Sequence, residues 1–406
     1  MGFLTESHRA LVTVLDMTRL EAFLPHWGGF PGRPPAERAA LARAFVAKAV
    51  LNLPTTRMLI ERVQADKTLR RLCGWSRPSE VPSEATFSRA FAEFADSELP
   101  SRLHEALIRE THGDRLVGHI ARDSTAIEGH EKPQHPDKPE PSAPTQKPRK
   151  RGRPRKGEEP APKPPSRLER QAGMTLSQML ADLPQHCDVG VKRNAKGHQE
   201  TWIGYKLHID TADGDIPVSC VLSSASVHDS QVAIPLATMT AGRLVNLYDL
   251  MDSAYDATEI RAHSRARGHV PIIDVNPRRD AALKKELAQE EKRQALVGHR
   301  AAEDIRYNER SGAERVNANL KDNHGGRTVQ VRGPAKVMCH LMFGILVITV
   351  TQIIRLVAGL HRGAKTVRSL PKYRQVDETW PKSTPKCPRR LQIGGSGVAT
   401  VKYDSI

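Results

Sequence analysis

Apolar residues recur at helical spacing through the first 115 residues. "PPAERAALARAFVAKAVLNL" opens on prolines and then follows a 3.6-residue period, as do "TTRMLIERVQ" and "PSEATFSRAFAEF". In the last of these, Ser83 is the expected N-cap. Residues 1–115 therefore read as a helical domain of short helices and tight turns, a form that suits either DNA reading or a plain bundle. The pattern changes at "VGHIARDS" (117–124), a strand ending in an acid. Strand-like runs resume at "WIGYKLHID" (202–210), "IPVSCVLSSA" (216–225), "LVNLYDLMD" (244–252) and "HVPIID" (269–274). Helical patterns cover 230–240, a short stretch through Ile260, 280–323 and the apolar run after Pro334.

Between the first two strands lies "KPQHPDKPEPSAPTQKPRKRGRPRKGEEPAPKPP", which has almost no apolar residues. Such a stretch cannot bury a core and is expected to be disordered. The boundaries are a helical segment at 1–115, the first strand of a sheet domain at 116–129, an insert at 130–195, the rest of the sheet domain at 196–360, and a basic tail at 361–406. Strands in series that then alternate with helices predict a mixed α+β or α/β sheet covered by helices, an order that fits the ribonuclease-H-like fold.

Composition narrows the partners. Lys+Arg number 62 against 46 Asp+Glu, a formal net charge of +16. That excess suits a polyanion, nucleic acid first. The five cysteines are scattered with no C-x-x-C pair, which excludes a disulfide framework or zinc ribbon and fits a reducing cytoplasm. No leader pattern is read at the N-terminus. The apolar run Val337–Leu360 is broken by His340, Gln352 and Arg355, so a buried core helix is expected there and not a membrane span. No phosphate-binding glycine loop and no H-E-x-x-H occur.

The candidate chemistry lies in three acids. Two divalent ions held by carboxylate oxygens can activate one oxygen and stabilise another in phosphoryl transfer. Asp123 ends the first strand and Asp252 the fourth; in a ribonuclease-H-like sheet those strands are neighbours, so the acids would lie side by side. Asp249, by parity, faces the other side, and Asp229 reads more simply as a helix cap. In "RYNERSGAERVNANLKDN", Tyr307, Arg310, Glu314 and Lys321 share one helical face. Glu314 would hold metal there, and Arg310 and Lys321 would grip phosphates. Alone, the stripe reads first as an exposed i,i+4 ion pair on a solvated helix.

Tyr307-x2-Arg310-x3-Glu314-x6-Lys321 matches the Tyr-Arg-Glu-Lys signature of a large group of insertion-sequence DDE transposases. The chain further resembles that group in "DST" (123–125), "GYKLHID" (204–210), "SVHDS" (226–230) and "DSAYDA" (252–257), over roughly residues 20 to 360. The resemblance implies Asp123, Asp252 and Glu314 as a metal triad for two Mg²⁺ or Mn²⁺ ions. It also implies that Tyr307, Arg310 and Lys321 touch DNA near the cut. It implies double-stranded element ends and target DNA as partners, a homodimer assembled on DNA, and a cytoplasmic, nucleoid-associated enzyme. The insert after the first acid departs from the pattern. The short span from Asp252 to Glu314 speaks against a hairpin route. Within the insert, "KPRKRGRPRK" carries Arg151 and Arg153 in an Arg-Gly-Arg-Pro core resembling an AT-hook, which lays arginines in a narrow minor groove. The rival readings are a nuclease without joining, a DNA-binding remnant, and a membrane protein resting only on 337–360.

Overall fold

Side-chain caps start the N-terminal helices. Thr5 accepts from the backbone N–H of His8 to open α1 (Glu6–Thr18). The next helix, α2 (Arg38–Val50), carries nine buried residues and forms the centre of the helical segment. Thr55 caps α3 (Thr56–Ala65). Asp66 caps α4 (Lys67–Cys73) through two backbone amides at 3.0 Å. Ser83 precedes α5 (Glu84–Asp96) but makes no side-chain cap bond, its hydroxyl lying 3.3 Å from that of Thr86 instead. A last helix, α6 (Leu99–His112), leads into the sheet. Phe45 gathers Phe87, Phe91, Phe94 and the distant Phe343 around it, with ring centroids 4.9–6.2 Å away.

This computed structural model describes residues 4–25, 36–134, 164–193, 197–278 and 280–368. Arg151, Arg153 and the rest of the Arg-Gly-Arg-Pro motif lie outside the described residues, as do the prolines before α2 and most of the basic tail.

The sheet begins with β1 (Leu116–Glu128). It continues after two short helices, α7 (Arg167–Gln171) and α8 (Leu176–Asp182), with β2 (Asp188–Arg193), β3 (Gln199–Ala212) and β4 (Ile216–Ser224). Then follow α9 (Ser230–Ala241), β5 (Val245–Met251), α10 (Thr258–Ala266) and β6 (Val270–Ile273). The strand order is β2-β3-β1-β5-β6, with β4 paired to β3. β1 runs antiparallel to β3 and parallel to β5, which in turn is parallel to β6. Gly204 pairs with both Glu128 and Asp188, and a Cβ there would collide with the β1 backbone, so only glycine fits where β3 is clasped from both sides.

Two expectations need correction here. Residues 164–193 fall within the insert expected to be largely disordered, yet they form α7, α8 and the edge strand β2. Capping boxes at Ser166 and Thr175 start the helices, and buried Met179, Leu183 and Cys187 anchor the stretch to the body. The helical pattern over 280–323 is not one helix. It splits into α11 (Ala281–Val297), ended by Gly298 at φ 63°, then α12 (Ala302–Tyr307), a 3₁₀ turn at Asn308–Arg310, and α13 (Ser311–Asn323).

The long α14 (Pro334–Arg368) is apolar enough to cross a membrane, but its most apolar stretch is 78% buried inside the protein. Its residues divide between two clusters: Phe343, Leu346 and Val350 join the helical segment, and Val337, Leu341, Ile345 and Ile348 join β3, β4 and α13. A buried core helix is thus the correct reading, and the helical segment and the sheet fall within one compact unit, Met1–Leu360.

Candidate active site

Register decides which acids meet. Arg122 pairs with Met251 across β1 and β5, so Asp123 and Asp252 stand one position further on, side by side. Asp123 does not end its strand: β1 continues to Glu128 because it stays paired with β3 after β5 has stopped. Alternation puts Ala121, Asp123, Leu250 and Asp252 on one face, where Ala313 of α13 packs. Asn317 of that helix donates to Asp123 Oδ2 at 3.0 Å. By the β5–β6 register, Asp274 follows Asp252 on the same face.

The electrostatics are those of a crowded acid cluster. Burial, together with the charges of Asp252 and Asp229, pushes the Asp123 carboxyl up to about 6, against the pull of the Ser124 amide and Arg310. Asp252 is likewise raised by burial, by Asp229 and by Asp274, although its carboxylate accepts from the Ala254 amide at 2.9 Å. Asp229, expected as a cap, does stand at the N-cap position of α9, and its charge also reaches Asp123 and Asp252. It makes no side-chain cap bond. Its carboxylate takes Lys206 Nζ at 2.9 Å and the Ser124 hydroxyl. Burial opposes its charge, but His208 and Lys206 outweigh burial and keep it below the usual carboxylate range.

The four signature residues come from three pieces of backbone: Tyr307 closes α12, Arg310 ends the 3₁₀ turn, and Glu314 and Lys321 belong to α13. Arg310 Nη2 donates to Glu314 Oε1 at 2.6 Å, and its guanidinium lies 5.6 Å over the Tyr307 ring. The Tyr307 hydroxyl donates to Asp274 Oδ2 at 2.5 Å. Lys321 stands apart from this group, among Lys192, Arg327, Glu128 and Asp322.

Oxygen donors of this kind suit a hard divalent cation, and raised carboxyls beside one another mark a place where a cation would relieve repulsion. The full triad is not assembled, however. Among the described residues no group of three Asp, Glu, His or Cys is placed to hold a metal ion. Asp123 and Asp252 are adjacent, whereas the Glu314 carboxylate is turned to Arg310 and is half exposed. Asp123 and Asp252 offer oxygen donors side by side, and Glu314 stays paired with Arg310.

Residues 118–350 match the family model described as "Transposase DDE domain" and residues 5–93 the one described as "Transposase domain (DUF772)". The first match covers more than half of the chain. The chain belongs to the DDE transposase family. No curated protein and no solved structure matches it. Membership makes DNA the substrate of this transposase and divalent metal the cofactor of its class. The boundary between the two matches falls at α6, just ahead of β1.

Proposed function

We propose that this transposase serves an insertion sequence: it binds the element's ends, hydrolyses phosphodiester bonds there, and joins the freed 3′-OH ends to target DNA. The observation that carries the reading is the adjacency of Asp123 and Asp252 on the sheet face covered by the helix bearing Glu314. The strand order, with its antiparallel β3, β4 side and parallel β5, β6 side, supports a ribonuclease-H-like core.

Asp123, Asp252 and Glu314 would hold two Mg²⁺ or Mn²⁺ ions, which when bound activate the attacking oxygen and stabilise the leaving one. The protein's own groups do the placing. The amides of Ser124 and Ala254 and the Asn317 side chain fix the two aspartates. Arg310 lies where it can pass from Glu314 to a phosphate, and Tyr307 flanks it. Lys321 sits further along α13 as a second phosphate contact. Arg151 and Arg153 add minor-groove contacts, and the active form is a homodimer on DNA in the cytoplasm.

The test is a cleavage and joining assay on duplexes taken from the DNA flanking the reading frame. Wild type should cut and join with Mg²⁺ and do neither in EDTA, and Asp123→Asn should do neither at all. Cutting without joining would make the protein a nuclease. Binding without cutting would make it a remnant, and cutting in EDTA would end the metal reading.

A further inference from the structure

We infer that Asp274 is a positioning residue: it holds Tyr307, and through Tyr307 it sets Arg310, while α13 itself is held by buried Gly312 and Ala313 and by the Arg315–Asp215 pair at 2.7 Å. The inference rests on the reading of the site above. Its first ground is how little else fixes this part of the chain. α11, α12 and the 3₁₀ turn contain no buried residue, and the first buried residues of the run are Gly312 and Ala313 in α13. Apolar burial therefore cannot place Arg310.

Two polar ties remain. Arg306 lies 5.0 Å over the Tyr248 ring of β5, and the Tyr307 hydroxyl donates to Asp274 at 2.5 Å. The acceptor is tied to the end of the sheet. Asp274 follows β6 directly, and its N–H reaches the Met251 carbonyl at 3.4 Å, beside Asp252. The Tyr307 ring then carries the Arg310 guanidinium at 5.6 Å, and Arg310 reaches Glu314 at 2.6 Å. One carboxylate at a strand end thus orients two of the four signature residues, Tyr307 and Arg310.

Asp274 is also an acid on the same face as Asp252, so the competing role is that of a metal ligand. The variants Asp274→Asn, Asp274→Ala, Tyr307→Phe and Asp274→Ala/Tyr307→Phe in the full chain separate the two. Asparagine keeps an acceptor for the tyrosine but removes the charge a metal needs. Cleavage of flanking-DNA duplexes in Mg²⁺ should fall about 10- to 100-fold in kcat for Asp274→Ala and Tyr307→Phe, the scale of a small misplacement of a catalytic group, with KM little changed. The double variant should be no worse than either single one, and Asp274→Asn should recover most of the rate. Independently of catalysis, amide hydrogen exchange across 302–311 in EDTA should quicken in Asp274→Ala and Tyr307→Phe and stay near wild type in Asp274→Asn. Asparagine as damaging as alanine would overturn the proposal, as would multiplicative losses in the double variant or unchanged exchange in all variants. If wild type does not cut, the function proposed above fails while exchange still decides the role of Asp274.

Discussion

The two faces of the sheet give their acids different neighbours. On the face covered by α9 and α10, Arg122 clasps Asp210 through two bonds of 2.8 Å, and Thr240 adds a third at 2.6 Å. Asp249, beside them, accepts from Ser264 at 2.5 Å and lies 3.1 Å from His269 Nδ1. Burial works against its charge, but His269, Arg122 and Ser264 outweigh burial and hold it below the usual range. Asp210 itself is raised by burial despite Arg122 and Thr240. On the face covered by α13, Asp123 and Asp252 are raised too, but each has few donors and like charges for neighbours. The first face is closed on itself and holds the sheet together. The second is left short of positive charge, which is what a face that receives cations from solution requires.

Removing a cation from each face should break the comparison most sharply. Arg122 is 2% exposed, and Arg122→Ala strands Asp210 in the core, so stability should fall by about 3–5 kcal/mol. Arg310→Ala removes an ion pair whose Glu314 is 55% exposed and a contact with the Tyr307 ring, so it should cost only about 1–2 kcal/mol. Urea titrations of both variants measure this. Equal losses would mean that the α13 face is as structural as the other.

A smaller effect, of opposite sign, is expected for Asp123→Asn. The folded carboxyl is pushed up to about 6, above its unfolded value, so the folded state binds this proton more tightly. Its contribution is intact below the unfolded pKa and is lost as pH rises through the folded one. In EDTA at pH 8 the asparagine variant should therefore be more stable than wild type by about 3 kcal/mol, and the gap should close toward pH 4. A variant less stable than wild type at pH 8 would place Asp123 with the structural acids.

These two aspartates were legible because strand order and side-chain parity are written locally: Asp249 and Asp252 differ by three positions and so face opposite ways. Asp229 and Asp274 were not. Their partners Lys206 and Tyr307 lie 23 and 33 residues away in sequence, and no periodicity relates them. Asp229 stands at a helix start, where a cap is the local expectation, and only the fold brings Lys206 to it. The 280–323 stretch misled for the opposite reason. Its helical composition is genuine, but Gly298 and the turn at Asn308–Arg310 divide it. The placement of α7, α8 and β2 within the assigned insert depended on a handful of apolar anchors among polar neighbours.

Acid should expose the closed side of the molecule in a further way. His104, fully buried against the Pro217 carbonyl at 3.0 Å, is pushed down to about 3, by burial first and then by Arg243. Its folded pKa lies below the unfolded value of about 6.5, so the stability it contributes is complete above that pH and is lost as pH falls. His104→Gln, which keeps a donor and cannot titrate, should flatten the loss below pH 6.5 by about 1.4 kcal/mol per pH unit. An unchanged slope would show that His104 is charged or solvated when folded.

The smallest expected effect concerns a cation outside both faces. Lys321 is half-buried, and its pKa is lowered by burial and then by the like charges of Lys192 and Arg327. Glu128 and Asp322 offset these only in part, so the pKa remains below the usual lysine range. Cations gathered this way repel one another unless an anion joins them, and a DNA phosphate is the anion this transposase meets. Lys48 is the contrast: also a lysine of lowered pKa, about 8, but lowered by burial alone in the helical core. Binding of flanking-DNA duplexes, followed by anisotropy in EDTA from 50 to 200 mM salt, should separate the two. Lys321→Ala should make the slope of log affinity against log salt shallower by about 0.9, the release of one phosphate's counterion. Lys48→Met should leave it unchanged. If Lys321→Ala keeps the wild-type slope, its cation cluster serves the fold, and the phosphate path along α13 ends at Arg310.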